Sequence, residues 1–526
     1  MVVLSSPRAL ASLLLLTAIP VTVLFLPFTN AQNATDTISK DPLGVRAFIE
    51  KAMAANGVPG MSVAIFHKDR IIFSEGFGKR NNKDPFQVDT LAPIGSITKS
   101  FTAASVGELV AEGKMDWDTT PISKYLPEFQ AQDPVVDSQL TAIEMLSHRT
   151  NYLSYDLSWI RTNTTRRELI KRLKNAVVDR KMRTRLQYNN VIYSVIGEAA
   201  ANVAKTSWEK LVDSKVVKPL GLKNTGYGQM GMRRQSNNHA LAHFAYSFDD
   251  LINGKIEIKD LDPIYMARAP AGDMFSNVLD LIRWGQVIMN SGQLNGKQVL
   301  SKESIERMVT GHTYAPNPDP DFAPTRAYGL GMGISSYKGK TFFSHSGGVS
   351  GFQANLLIFP NDKVIIASLS NILPSTPATY LPYYIADHLF GLPTTKDWLA
   401  ESVRENKLYY EFVQDELKGA SLPPQIRDKP PTRPLIDFAG TYENPIHGSI
   451  TIRLESEGGK GESLFFNINQ FDSKMDHYHY DSFKFILNDD GIVISTLLTF
   501  QTNADGNISF QVNFPEGLCQ FEKANL

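Results

Sequence analysis

The stretch Gly95-Ser96-Ile97-Thr98-Lys99-Ser100-Phe101 sets a serine three residues before a lysine and runs into TAASVGELVAEGKMDWD, which has the composition of a helix. On a helix that begins near Ser96, Lys99 lies about 60° around the axis and ~4.5 Å along it, so both side chains share a face. A serine hydroxyl is a poor nucleophile until a base takes its proton, and a desolvated lysine is such a base. The N–H groups at the start of the helix also favour negative charge developing near Ser96. The tetrapeptide S-x-x-K is nevertheless common, and Ser96 or Thr98 suits a helix cap equally well.

Two further boxes change the reading. RLQYNNVIYSVIGEAAA carries Tyr188-Asn189-Asn190 just ahead of an apolar helix, and FFSHSGGVSG places His345-Ser346-Gly347 on a strand edge. Serine and lysine, then Y-x-N, then H-[ST]-G, in this order and at these separations, resemble the serine β-lactamase and penicillin-binding-protein superfamily. The Y-x-N form is most similar to class C β-lactamases and the related esterases, D-aminopeptidases and transesterases. TLAPIGSITKSFTAASVGELVAEGKMDWDTTPISKYLP, AIEMLSHRTNYLS, PLGLKNTGYG, AGDMFSNVLDLIRWGQVIMNSG and YGLGMGI are similar to the same family, so the resemblance spans residues 43–389.

The resemblance implies an α+β fold, a β-lactamase/transpeptidase-like antiparallel sheet with a helical region. It implies Ser96 as the acylated nucleophile, with Lys99 and Tyr188 sharing its activation and the principal base of the two left open. Asn190 is expected to bind the amide of the substrate's acyl side or to hold Lys99. His345, Ser346 and Gly347 are expected to line the substrate site. The backbone N–H of Gly348, with that of Ser96, is expected to form the oxyanion hole, where one donor is worth on the order of 100 to 1,000-fold in rate. No metal or cofactor is implied. His345 stands where many β-lactamases and transpeptidases have a lysine. A histidine of ordinary pKa, near ~6.5, is mostly neutral at pH 7, which argues against penicillin as the natural substrate and for the esterase and peptidase branch.

The chain of 526 residues exceeds what one core usually organises, and its 42% hydrophobic content is ample for packing. With 53 basic and 54 acidic residues, nothing in the net charge calls for nucleic acid. Arg8 precedes the apolar run ALASLLLLTAIPVTVLFLPF, which ends in Thr29-Asn30-Ala31. Residues 1–31 read as a secretory signal. An uncleaved anchor is the competing reading, because the run approaches the ~20 residues that cross a bilayer; no stable membrane span is expected once a signal is cleaved. Asn33, Asn163 and Asn507 open glycosylation sequons that suit a secreted surface. Cys519 is the only cysteine, so no internal disulfide forms and the core must hold the fold.

VRAFIEKAMAANG reads as an amphipathic helix stopped by Gly57, and GMSVAIFHKDRIIFSEGFGKRN as a β-hairpin. Helices and long loops follow to about residue 380, closing with three short strands in TFFSHSGGVSGFQANLLIFPNDKVIIASLSN. Strands at both ends with helices between them predict one antiparallel sheet completed by distant parts of the chain. The hydrolase domain is placed at residues 38–398, a helical and Pro-rich linker at 399–434 and a small all-β barrel or sandwich at 435–526, where short alternating runs are punctuated by Gly, Asp and Asn; its opening LIDFAGTYENP resembles the lipocalin-like barrels appended to some members of this superfamily. Within that last segment His477 and His479 have a spacing that suits a metal, but no third ligand accompanies them. The run Gly329 to Gly333 lacks the strand-and-helix frame of a phosphate loop, and His148 reads as a packing residue.

The expected activity is that of a secreted serine hydrolase acting through a Ser96 acyl-enzyme on ester or amide bonds of small molecules or peptides. An acyltransferase or peptide cyclase would use the same residues. A non-catalytic binding protein is the reading from another class.

Overall fold

The computed structural model describes residues 41–524 except 42, 177, 179–180, 261–266, 268, 457–460, 490–491 and 515–516. The expected signal segment and the Asn33 sequon lie outside the described residues. An eight-stranded antiparallel sheet organises the larger domain. Its strands are β1 (Gly60–His67), β2 (Arg70–Gly78), β3 (Thr313–Pro316), β4 (Thr325–Tyr328), β5 (Gly333–Tyr337), β6 (Lys340–Val349), β7 (Phe352–Phe359) and β8 (Val364–Ser370). Their spatial order is β3-β4-β5-β6-β7-β8-β1-β2. The hairpin β1–β2 therefore completes the sheet from the other end of the domain, with Met61 opposite Ser370 and His67 opposite Val364.

Sequence reading found β1, β2 and β6 to β8 and missed β3 to β5. Those three are two to three turns of pleat at most, carry Pro316 and the polar pair Ser335-Ser336, and are strands only because each pairs with its neighbour. The central strands are apolar on both sides because both faces of the sheet are covered. On β1, Val63 and Ile65 join one core with α1 (Val45–Asn56), while Ala64 and Phe66 join the other with the helical region.

The helical region contains α2 (Thr98–Ala111), α3 (Asn190–Val203) and α4 (Val278–Met289). On the opposite face of the sheet, α1 packs with α5 (Thr376–Phe390) and α6 (Trp398–Lys418). Sequence reading assigned α6 to the linker because of its many charges. Its buried residues Trp398, Ser402, Asn406, Tyr410 and Val413 instead form one stripe at helical spacing. Asn406 Nδ2 donates to Asn56 Oδ1 at 3.2 Å, which ties this stripe to α1.

After residue 418 the chain enters a closed eight-stranded barrel, β9 (Gly440–Asn444), β10 (Gly448–Ser456), β11 (Glu462–Ile468), β12 (Phe471–His479), β13 (Ser482–Asp489), β14 (Ile492–Thr502), β15 (Ile508–Phe514) and β16 (Gly517–Lys523). Closure removes the exposed strand edges of a small sheet. Aromatic rings fill the interior: Phe438 stacks on Phe500 at 4.4 Å between centroids and Phe466 on Phe485 at 4.2 Å. His477 and His479 serve the fold, the first against the Tyr480 carbonyl and the second accepting the Ile426 N–H. Among the described residues no helix is long and apolar enough to cross a membrane.

Asp387 on α5 clamps the sheet to α6. It is buried and accepts hydrogen bonds from the Tyr337 hydroxyl at 2.7 Å, Lys338 Nζ at 2.8 Å and Trp398 Nε1 at 2.8 Å. Removing one partner of a buried ion pair strands the other charge. Asp387→Ala is expected to cost about 3 kcal/mol or more in urea denaturation. A loss below ~1 kcal/mol would show that Lys338 finds solvent instead.

Candidate active site

Ser96 sits on a 3-10 turn, Gly95–Ile97, that leads into α2, so the helix starts two residues later than the simplest reading of the motif. It caps nothing: neither the turn nor α2 has a side-chain cap. Helix α2 is nearly all buried and still rich in small hydroxyl residues, because each hydroxyl has a partner. Ser100 Oγ accepts from Trp284 Nε1 at 2.9 Å, Thr102 Oγ1 donates to the Pro270 carbonyl at 2.7 Å, and Thr98 Oγ1 accepts the Met274 N–H at 3.2 Å. These bonds fix the start of the helix from three sides, and with it the serine.

Lys99 is fully buried. Its Nζ lies 3.0 Å from Ser96 Oγ, 2.8 Å from Asn190 Oδ1 and 2.8 Å from the Ala271 carbonyl oxygen. The Tyr188 ring centroid is 4.6 Å from the same nitrogen, and that of Tyr193 is 5.4 Å away. Ser96, Lys99, Tyr188 and Asn190 are thus one cluster, with Tyr188, 39% exposed, at its solvent side.

The Y-x-N box is placed by its middle residue. Asn189 N-caps α3 by accepting the Ile192 N–H at 3.0 Å, while its Nδ2 donates to the carbonyls of Tyr152 at 3.1 Å and Leu153 at 2.7 Å. Its own N–H donates to His148 Nδ1 at 3.1 Å, and the His148 ring lies 4.2 Å from that of Tyr188. His148 is therefore packing, as its sequence context predicts, but packing that seats Tyr188. Burial, with Lys99 and His345 adding to it, holds its pKa well below the ordinary range, so the ring is neutral.

His345 lies on β6 with Nδ1 against the Ser346 carbonyl at 2.5 Å and Nε2 2.9 Å from the Tyr328 hydroxyl. Only an Nδ1–H tautomer that accepts from Tyr328 satisfies both contacts. Burial first, and Lys99 second, push its pKa down to about 3. This position therefore holds a neutral ring and no cation. Beyond Ser344, β5 has left the sheet, so Ser346 to Gly348 are paired on the β7 side alone within the ladder.

Two glycines are dictated by close approach. A Cβ on Gly347 would stand 1.9 Å from the Ile94 carbonyl oxygen, and one on Gly95, whose φ is 50°, would stand 2.8 Å from the Gly348 nitrogen. Only glycine lets the two backbones meet, which brings the Gly348 amide to the turn that carries Ser96. A cavity of ≈ 380 Å³ adjoins the cluster, walled by Tyr188, Tyr328, His345 and Ser346 on one side and by Phe322 and Phe342 on the other.

All eight residues singled out in the sequence, Ser96, Lys99, Tyr188, Asn190, His345, Ser346, Gly347 and Gly348, lie at or beside this cavity or turn. Sequence reasoning missed Tyr193, Tyr328 and the Ala271 carbonyl as members. Tyr328 stands in the quoted YGLGMGI segment, but nothing local marks it as a partner of His345. The glycine run itself packs on α2: a Cβ on Gly331 would lie 2.7 Å from the Lys99 carbonyl oxygen.

The segment that joins His148 to the barrel is unusual. His148, Asn151, Tyr155 and Arg161 are left-handed, with φ of 56°, 64°, 46° and 49°. Left-handed backbone costs a residue with a Cβ roughly 1–2 kcal/mol, so this shape persists only because its surroundings hold it.

Comparison with known proteins agrees with this geometry. A family model described as Beta-lactamase matches residues 45–390, and one described as Domain of unknown function (DUF3471) matches 424–520. An unguisins hydrolase of Aspergillus campestris is 24% identical over 429 residues, which are 76% of this chain and 75% of that protein. The octameric penicillin-binding protein homologue from Pyrococcus abyssi superposes with a TM-score of 0.57 at 20% identity, over 92% of this chain and 100% of its own. A D-stereospecific amidohydrolase from Streptomyces superposes with a TM-score of 0.52 at 20% identity over 66% of this chain and 98% of its own. EstCE1, a hydrolase with promiscuous acyltransferase activity, gives a TM-score of 0.55 at 18% identity over 66% of this chain and 97% of its own. Having a Beta-lactamase model matched to residues 45–390 on this fold, the chain belongs to the β-lactamase family, the hydrolase family of the serine β-lactamase and penicillin-binding-protein superfamily.

Proposed function

We propose that this protein is a secreted serine hydrolase that forms an acyl-enzyme at Ser96 and cleaves ester or amide bonds of small molecules or peptides. One observation carries the reading: Lys99 Nζ is buried within hydrogen-bond distance of Ser96 Oγ and of two carbonyl oxygens. For acylation Lys99 first loses one proton to solvent; the amine so formed keeps its two N–H groups on Asn190 and Ala271 and turns its lone pair to the Ser96 hydroxyl. Ser96 Oγ then attacks the substrate carbonyl as its proton passes to the Lys99 and Tyr188 pair. The N–H groups of Ser96 and Gly348 receive the oxyanion. The carbonyl bond to the leaving group breaks, the leaving group takes the proton through Tyr188 at the solvent side, and water releases the acid by the reverse route.

The neutral His345 and the aromatic wall of Phe322 and Phe342 support a donor with an apolar group. Secretion is supported by the N-terminal apolar run and by the exposed Asn163 and Asn507, which we assign as glycosylation sites. The proposal keeps the barrel domain at 435–526 and extends the hydrolase domain from 38–398 through α6 to residue 418. Acyl transfer to an alcohol or amine is the second reading, favoured by the promiscuous acyltransferase activity of EstCE1; product analysis with added alcohol separates the two.

Intact-mass measurement after exposure to a small activated ester is expected to show one acyl group on the wild type and none on Ser96→Ala. A folded Ser96→Ala protein that still turns over would end the reading. Tyr188→Phe is expected to slow acylation by roughly 100 to 10,000-fold, the range of one general acid or base; a loss of a few-fold would move that role to Lys99 alone.

The neutral His345 also makes stability depend on pH. Its folded pKa of about 3 lies below the ~6.5 of an unfolded histidine. The unfolded chain therefore binds the proton first, and the stabilisation present above about pH 6.5 is lost as pH falls toward 3, with a slope of up to ~1.4 kcal/mol per pH unit. Denaturation at pH 7.5 and 5.0 is expected to show a smaller difference for His345→Gln than for the wild type. Equal differences would mean that the ring titrates normally.

A further inference from the structure

The barrel reaches the catalytic cluster through the left-handed segment. Asn469, in the turn between β11 and β12 with φ of 55°, donates its Nδ2 protons to the carbonyls of Leu157 and Ile160, both at 2.9 Å. Leu157 is buried within the barrel's own core, and the Arg161 guanidinium lies 5.4 Å from the Phe471 ring centroid. In the other direction Ile446, from the turn between β9 and β10, joins the core of the hydrolase domain, and Asn175 Nδ2 donates to the Pro445 carbonyl at 3.3 Å. Five and four residues before Leu157, the same segment gives the Tyr152 and Leu153 carbonyls to Asn189. Asn189 is bonded to both of its neighbours in the chain, the Lys99 ligand Asn190 and Tyr188, and its N–H holds the His148 ring beneath Tyr188.

We propose that the barrel is a working part of the catalytic apparatus, and that Asn469 is a positioning residue that holds segment 148–161, and through Asn189 the Tyr188 hydroxyl and the Asn190 amide, in register with Lys99. Two side-chain amides, one from each domain, grip the same strained segment a few residues apart. Left-handed backbone at bulky residues relaxes when its anchors are removed, and relaxation here moves the carbonyls that Asn189 is built on. The chemistry it serves is the acylation proposed above, on which this inference rests.

The test uses the full chain with Asn469→Gly, which keeps the left-handed turn at no strain and removes both donors. Asn467→Ala is the control. Its Nδ2 donates to the Phe471 carbonyl at 2.9 Å in the same hairpin and does not touch the segment. Asn469→Gly is expected to slow acylation by an activated ester on the order of 10- to 100-fold, as a displacement of about 1 Å does, with KM unchanged within about twofold. Hydrogen exchange is expected to quicken both in 152–161 and in 189–193, while Asn467→Ala leaves acylation and both segments as in the wild type. The proposal is overturned if Asn469→Gly acylates at the wild-type rate, if faster exchange stops at 157–161, or if Asn467→Ala slows acylation equally. A wild type that takes no acyl group would overturn the hydrolase reading and this proposal together, whereas an acylated wild type with an unaffected Asn469→Gly overturns this proposal alone.

Discussion

An amine on a long flexible stem is held without exposure to water because three oxygens meet it: Ser96 Oγ, Asn190 Oδ1 and the Ala271 carbonyl. Burying such a group is costly unless every proton finds an acceptor. The rest of the larger domain can be understood as what that arrangement requires. The three acceptors come from three places in the chain, the 3-10 turn before α2, the first residue of α3 and the stretch before α4. Each place is then fixed by hydroxyl and amide bonds that leave little freedom, such as Thr102 to Pro270 and Asn189 to Ile192. The polar character of α2, odd for a helix buried on all sides, follows from the same need.

The sheet contributes a different constraint, closeness. Gly95 and Gly347 allow the edge of β6 to press against the turn carrying Ser96, and the departure of β5 from β6 after Ser344 opens that edge. The Ser96 hydroxyl, the buried Lys99 nitrogen and an open strand edge thereby share one small space beside a cavity lined in part by aromatic rings. His345 adds no charge to it. Where a lysine at this position would offer a cation to an anionic substrate, a ring locked as a neutral acceptor of the Tyr328 hydroxyl offers shape.

The parts legible in the sequence are those whose chemistry is local. Ser96 and Lys99 are one turn apart, Tyr188 to Asn190 are consecutive, and His345 to Gly348 are consecutive, so each box can be seen without knowing the fold. The barrel was legible for a similar reason, since Ile450 and Ile452, or Leu464, Phe466 and Ile468, alternate inward with period two. Tyr328, Tyr193 and the Ala271 carbonyl were not legible, because what makes them members is contact with residues far away in the chain. Strands β3 to β5 were hidden by their brevity. Helix α6 was mistaken for linker because its polar stripe members, Ser402 and Asn406, bury through hydrogen bonds to α1 and not through apolarity.

The left-handed segment illustrates why an appended barrel matters to a domain that already has its motifs. Residues 148–161 carry His148 at one end, under Tyr188, and Arg161 at the other, against Phe471. A backbone with four left-handed non-glycine residues is not what its own local preferences select. Asn189 can cap α3 and still spend its Nδ2 protons on Tyr152 and Leu153 only if those carbonyls are already presented to it. The larger domain anchors it through Asn189, through the Arg185 side chain on Asn151 at 3.0 Å and through the Gln187 N–H on the His148 carbonyl at 2.8 Å, and the barrel anchors it through Asn469. Strain held between two domains is a way of fixing a side chain such as that of Tyr188, which is 39% exposed, since packing alone can fix only what it covers.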